Sequence, residues 1–336
     1  MSFFSNEERM LKIHRIVAGF AAALPVSICL FSVKARPAQA DVSQLIAQGR
    51  QLSMQGDQQG ALEQFRKAMH SAPESFDANL SMGTTLDLLG RYSEAQRHIH
   101  KSIEVANDAE AKTQAARAMA VSFAFERKPA EAAKFEKLVF DSHLAAASYT
   151  RAAEIGDELA RIYLECGQLD QAYDWYQRAY NTALKKPGIT AQDKDLWGFR
   201  WEAGQARVAA RRGENEIAAK EVAAAKAFVD RLHDPQQQAF LPYLSGYLAF
   251  YAQDYPSAIT ELKNANQKDL FVLHLLARAY EKLNQKSEAA GICNNILSFN
   301  THNIANAFAR PAAQRILGRH EAGHIVSAPV AALNVI

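Results

Sequence analysis

Gly56-Asp57-Gln58-Gln59-Gly60-Ala61-Leu62-Glu63-Gln64-Phe65 shares its frame with Gly90-Arg91-Tyr92-Ser93-Glu94-Ala95-Gln96-Arg97-His98-Ile99. Ala61 and Ala95 stand 34 residues apart, Gly49 and Gly83 precede them by twelve, and Gly56 and Gly90 by five. Self-similarity at a fixed period of this size is the signature of a stacked repeat. The frame recurs down the chain. Ala120 and Ala132 fit a third unit; Ala160, Gly167, Ala172, Tyr176 and Ala179 fit a fourth. Ala206, Gly213, Ala218 and Ala225 fit a fifth; Gly246, Tyr255, Ala258 and Ala265 a sixth; Ala277, Tyr280 and Ala289 a seventh. Units three, five and seven are the degenerate ones. Spacings after the second unit drift between 31 and 46, so extra residues belong in loops, the largest at Lys185 to Lys194 around the Pro187-Gly188 turn signal.

The apolar spacing is i, i+3, i+4, i+7, which is helical and not period two. Small residues at fixed places mean close approach. Two antiparallel helices reach the short end of the ~8–10 Å interaxial range only where a side chain is small. Leu52, Phe65, Leu86, Tyr163, Tyr176 and Tyr280 supply the bulk around those contacts. Each helix pair is too small to bury its own apolar face, so neighbours stack.

The period and the small-residue placement resemble the tetratricopeptide repeat, a helix–turn–helix unit, over roughly residues 42–303. That resemblance implies an all-α fold: a right-handed α-solenoid of about seven units, with a C-terminal closing helix at 304–318 holding Pro311. It also implies a concave groove, lined by the first helix of each unit, that takes a peptide or protein segment. Carried over unit by unit, the groove presents Phe240, Tyr243, Tyr247, Phe250 and Tyr251 from unit six. Asp157 and Arg161 come from unit four, Arg200, Arg207 and Arg211 from unit five, and His274, Arg278 and Lys282 from unit seven. Aromatic residues and Arg carry most interface energy. The competing reading of such a stripe is core packing between units. Ile46, Arg50, Leu80 and Thr84 stand where some relatives of this kind carry a Lys/Asn clamp for a chaperone's acidic end, so that clamp is absent.

Composition fits this reading. The 336 residues are 49% hydrophobic with a net charge of +2, which gives no electrostatic case for nucleic acid. Sixteen Gly and ten Pro are too few for a turn-dense all-β fold. Arg9, Lys12 and Arg15, an uncharged run from Ile16 to Val33 and Ala38-Gln39-Ala40 form the pattern of a secretory leader over 1–40. Export to the periplasm or cell exterior is expected, with an uncleaved membrane anchor as the alternative. Cys29 lies in that leader. Cys166 and Cys293 are expected to be unpaired core thiols, three units apart.

One stretch argues for an enzyme. His320-Glu321-Ala322-Gly323-His324 matches the H-E-x-x-H pattern, in which two His on one helix face bind zinc and the Glu acts as base. The twelve residues after it, 325–336, hold no His, Asp, Glu or Cys, so a third ligand would have to come from upstream. Residues 319–336 therefore read as an apolar tail. The sequence predicts a non-catalytic, cofactor-free scaffold that binds another protein or peptide, with envelope assembly as the suggested setting. A zinc hydrolase and a self-associating array are the alternatives. Oligomeric state is left open.

Overall fold

The computed structural model describes residues 37–326, with side chains from 41 to 319. The greater part of the expected leader, with Cys29, and the end of the tail lie outside the described residues. So do the side chains of His320, Glu321 and His324.

Seven helix pairs follow one another. They are α1 (Pro37–Gln55) with α2 (Gln58–Ser71), α3 (Phe76–Leu88) with α4 (Tyr92–Val105), and α5 (Ala109–Phe125) with α6 (Pro129–Ala145). Next come α7 (Tyr149–Glu165) with α8 (Leu169–Ala183), and α9 (Ala191–Arg212) with α10 (Asn215–Leu232). A short α11 (Pro235–Gln238) precedes α12 (Leu241–Tyr251) with α13 (Tyr255–Asn264). The chain closes with α14 (Leu270–Lys282), α15 (Lys286–Ser298) and α16 (Ile304–Val326). No strand occurs among the described residues. The expected all-α solenoid is present, degenerate units included.

The turn inside each unit is the same device seven times. A residue of positive φ follows the first helix: Gly56, Gly90, Arg127, Gly167, Gly213, Gln253 and Asn284. The next amide donates back five residues, as Arg91 to the carbonyl of Leu86 and Gln168 to that of Tyr163, both at 2.9 Å. This left-handed cap satisfies carbonyls that the helix end leaves free. Four units supply Gly, which enters that conformation without a Cβ penalty.

The small-residue frame is a packing rule. Ala61, Ala95, Ala132, Ala172, Ala218, Ala258 and Ala289 are all fully buried. Four residues further along each second helix stands the side chain that fills the gap: Phe65, Ile99, Glu136, Tyr176, Val222, Leu262 and Cys293. A Cβ on Gly83 would sit 2.5 Å from Ile99, and one on Gly246 2.7 Å from Leu262. Close-packed interiors do not tolerate such overlap.

Glu136 breaks this rule. It is fully buried and neither carboxylate oxygen has a hydrogen-bond partner among the described residues. Burial, reinforced by Glu158 and opposed by Arg117, raises its pKa well above the usual carboxylate range. The folded state thus holds a proton that the unfolded chain releases above about pH 4.3. Stability falls as pH rises from there through the raised value. Glu136→Leu, which restores the apolar register, is expected to raise unfolding stability near pH 7 by about 1–3 kcal/mol. Denaturant unfolding between pH 5 and 8 checks this: the variant should lose less stability with pH than the parent. Glu202, pushed up to about 7 by burial and Glu221, contributes to both proteins and drops out of the difference. An unchanged pH slope, or a less stable variant, would contradict the assignment.

The closing helix does more than the sequence implied. One face covers the last unit through Ala309, Ala313 and Ile316, packed with Leu273, Ala277, Ala289 and Ile296. The other face reaches back across the molecule. Ile304, Ala307 and Phe308 join Leu88, Ala120, Val121, Phe125, Ile155, Leu159 and Ile162 in one core. Arg310 donates from Nε to the carbonyl of Leu88 at 2.9 Å and from Nη1 to those of Leu297 and Phe299, each at 3.1 Å. His302 meets the buried Asp87 at 2.8 Å and lies against the Phe125 ring. Gln58 Nε2 donates to Asn300 Oδ1 at 3.1 Å. Unit seven is thereby tied to units one to three, and the solenoid closes on itself.

Candidate functional site: a cavity on the concave side

The first helices α3, α5, α7 and α9 face the interior of the closed solenoid. Their N-terminal and C-terminal halves meet different fates. In α5 and α7 the C-terminal halves, with Ala124, Phe125, Leu159 and Tyr163, are sealed into the core shared with Ile304, Ala307 and Phe308. The N-terminal halves line a cavity of about 940 Å³. Its lining includes Thr113, Gln114 and Arg117 of α5, Val139 and His143 of α6, and Arg151, Glu154, Ile155, Asp157 and Glu158 of α7. Phe199, Arg200, Ala203 and Arg207 of α9, Leu80 and Thr84 of α3, Gln237 and Phe240 complete much of the wall. His302, Asn303 and Ile304 line it too, so the segment that joins the core also forms part of the cavity wall.

The predicted aromatic groove is mostly not a surface. Tyr243, Tyr247 and Phe250 are core residues; Phe240 and Tyr251 are half-buried. Spacing of three and four placed them on one helix face, as expected, but that face meets units five and seven. The rings meet edge-to-face or tilted, with centres 4.7–5.9 Å apart, from Phe240 to Tyr251. Arg161, Arg211 and Arg278, three of the arginines expected beside them, are committed to the same interior. Arg161, itself buried, donates from Nη2 to the Tyr243 hydroxyl at 2.6 Å and from Nε to Glu165 at 2.9 Å. Its guanidinium carbon lies 3.6 Å from the Phe271 ring centre. Arg211 sits over Tyr251 and Arg278 over Phe250. Cation–π contacts of this kind strengthen as they are desolvated. Burial alone would raise the Glu165 carboxyl, but Arg161, with Arg211 and Arg278 nearby, holds it below its ordinary value. His274 is pushed down to about 3 by burial and by Arg278, so it is neutral there. The core reading of the stripe is the one the structure shows for Tyr243, Tyr247, Phe250 and Arg161.

Asp157, Arg200, Arg207 and Phe240 are the predicted groove residues that do line the cavity. Arg207 is 5% exposed; its Nη2 donates to the Tyr176 hydroxyl at 3.2 Å, and its Nε has no partner among the described residues. Arg200 lies over Trp197 at 4.6 Å and makes no hydrogen bond or ion pair among the described residues. Asp157 is raised by burial, against the pull of Arg200, Arg207 and Arg161, and is likewise unpaired among the described residues. Nearer α5, Arg117 and Glu158 form a two-pronged ion pair. His143 is lowered by burial and by Arg151.

These groups suit binding. Cys166 and Cys293 are free, as expected, and burial pushes each thiol up to about 11, so neither is a thiolate at neutral pH. Among the described residues no three His, Cys, Asp or Glu side chains converge as a metal site, and no helix is long and apolar enough to cross a membrane.

Residues 157–190, from the middle of α7 through α8, match the tetratricopeptide repeat. The chain is an all-α solenoid of helix–turn–helix units, one segment of which matches that repeat. The apo form of RapI has a similar structure, with a TM-score of 0.51 at 9% identity over 83% of this chain and 99% of that one, which speaks to the fold alone. A tetratricopeptide repeat protein from Parabacteroides merdae gives 0.49 at 13% identity, over 82% of this chain and 99% of that one. The Rap conjugation gene regulator of the plasmid pLS20, in complex with the Phr* peptide, gives 0.44 at 12% identity, covering 92% and 82%. No curated protein matches the sequence.

The tetratricopeptide frame placed Asp157, Arg200 and Arg207 on the inner face. Arg117, Arg151, Glu154 and Glu158 were missed. Thr113, Arg117 and Val121 do recur at every fourth residue, an inner-face signal, but unit three is degenerate and its inner face was not read. His302 and Ile304 carry no periodic signal at all.

Proposed function

We propose that this chain is a non-catalytic protein-interaction scaffold that takes a peptide or protein segment in the cavity bounded by α5, α7 and α9. The observation behind this reading is the convergence there of charged groups that form no ion pair among the described residues, Arg200, Arg207, Asp157 and Glu154, with the apolar Ile155, Phe199 and Phe240. A few polar groups set in an apolar concavity fix a ligand's orientation and select it. The leader pattern supports a place in the periplasm or outside the cell, and envelope assembly is the setting proposed. An intact mass that still begins at Met1 would argue against leader removal.

Site-specific photo-crosslinking tests the binding reading. A photoreactive residue at Gln114, on the cavity wall, should capture a protein partner in the envelope fraction. One at Leu138, 62% exposed on the outer face of α6, should not. Arg200→Glu should abolish the Gln114 product. Capture from Leu138 alone would overturn the reading.

A further inference from the structure

We infer that a second site, separate from the peptide cavity, binds a small soluble ligand carrying two or more phosphate groups, between the C-terminal ends of α5, α7 and α9 and helix α14. The guanidinium groups that would hold it come from three units. Arg127 follows α5, and its Nη2 donates to the Glu165 carbonyl at the end of α7. Arg211 stands in the last turn of α9, and a Cβ built on Gly167 would lie 3.8 Å from its Nη2. The turn of unit four is thus bracketed by one arginine from unit three and one from unit five. Arg211 lies over Tyr251, whose ring centre is 5.2 Å from that of Phe250, and Arg278 of α14 lies over Phe250 at 4.6 Å. None of the three arginines lines the cavity, which the N-terminal halves of α5 and α7 wall. The core around Phe308, covered by Arg127, lies between.

Charge here does not balance. Arg127, Arg161, Arg211 and Arg278 surround one carboxylate, Glu165, and Arg161 already holds it at 2.9 Å. Arg127, Arg211 and Arg278 are in no ion pair among the described residues. Glu126, Asp170 and Glu281, near them in sequence, are taken by Lys128, Arg212 and Arg319. Glu214 is exposed at the head of α10 and pairs with none of them. The field shows on His274 of α14, which burial and Arg278, with Arg127 and Arg161 adding to them, push down to about 3. Stacking on Phe308, Tyr251 and Phe250 fixes where the guanidinium planes lie. It leaves their charge and most of their N–H edges unanswered. A lone carboxylate would answer one of these charges. Linked phosphates bring several negative charges close together, and guanidinium forks match their oxygens two at a time. Arg211 and Arg278 are half-buried, which suits a soluble ligand and not a bilayer surface.

Isothermal titration calorimetry on the full chain, with tripolyphosphate as the probe at constant ionic strength, tests this. Saturable binding is expected, weakened at least tenfold by Arg211→Gln and by Arg278→Gln. Arg278→Lys, which keeps the charge, should retain part of the affinity. Arg200→Gln, in the peptide cavity, should leave it within about twofold, so either site can fail while the other stands. Unchanged circular dichroism shows that the variants fold. An equal loss in Arg200→Gln, or in Arg212→Gln on the surface, would make the attraction diffuse and overturn the assignment. So would an absence of tripolyphosphate binding, tighter binding of a hexaglutamate peptide, or cosedimentation with cardiolipin vesicles in place of tripolyphosphate binding.

Discussion

Phe308→Ala is expected to lower unfolding stability by about 3–5 kcal/mol, the cost of emptying a fully packed aromatic site. Phe308 is 1% exposed and sits among side chains from α3, α5, α7 and α16, with Arg127 over its ring at 5.4 Å. Its loss removes the largest apolar side chain with which α16 grips the earlier units. The effect should also be local. Amides of residues 299–316 should exchange faster than those of α9 and α10, because the cap detaches before the solenoid melts. Urea unfolding and hydrogen exchange check the two halves. A loss under 1 kcal/mol would show that α16 does not hold the solenoid closed.

Arg161→Met is the second large effect. Removing one partner of a buried ion pair leaves the other uncompensated, at about 3–5 kcal/mol. Arg161 and Glu165 have side chains 11% and 6% exposed, and the variant also leaves the Tyr243 hydroxyl without its donor. The pH dependence carries the signature. Glu165 is depressed in the folded protein, so its share of stability is present above its ordinary pKa and is lost as pH falls through the depressed value. Without Arg161 the carboxyl protonates more readily, so the deficit relative to the parent should shrink as pH falls from 7 to 4. The double variant Arg161→Met, Glu165→Met should recover much of the loss. A deficit that is constant with pH would place the cost in packing and not in the charge pair.

The repeat was legible because its cause is local. Wherever two helices touch closely, a small residue must stand at a set distance from the turn, and Ala61, Ala95, Ala172 and Ala258 announce this at a regular spacing. The turns were legible for the same reason, through Gly56, Gly90, Gly167 and Gly213. Units three, six and seven hid theirs because Arg127, Gln253 and Asn284 take the left-handed cap without Gly. Glu136 could have been found in the sequence, since it stands four residues after Ala132 where Phe65, Ile99 and Leu262 stand in other units.

The site was legible only in part. Spacing places Tyr243, Tyr247 and Phe250 on one side of α12, but whether that side meets solvent or a neighbour depends on how the whole array curves. The closing contacts leave no pattern: Gln58 and Asn300 are 242 residues apart, and Asp87 and His302 215. Nothing near His302 or Phe308 marks them as partners of the second and third units. The expected concave groove is thus a cavity walled in part by the closing segment, and its predicted aromatic row is made of residues that hold units four to seven together.

Hydrogen exchange of the unmodified protein across residues 304–316 tests the closed solenoid most directly. If these residues are core with α5 and α7, their amides open only with the global transition and share the protection of 116–125 and 155–164. Exchange within seconds, as for a helix lying free at the end of an open array, would contradict the closure and the cavity that depends on it.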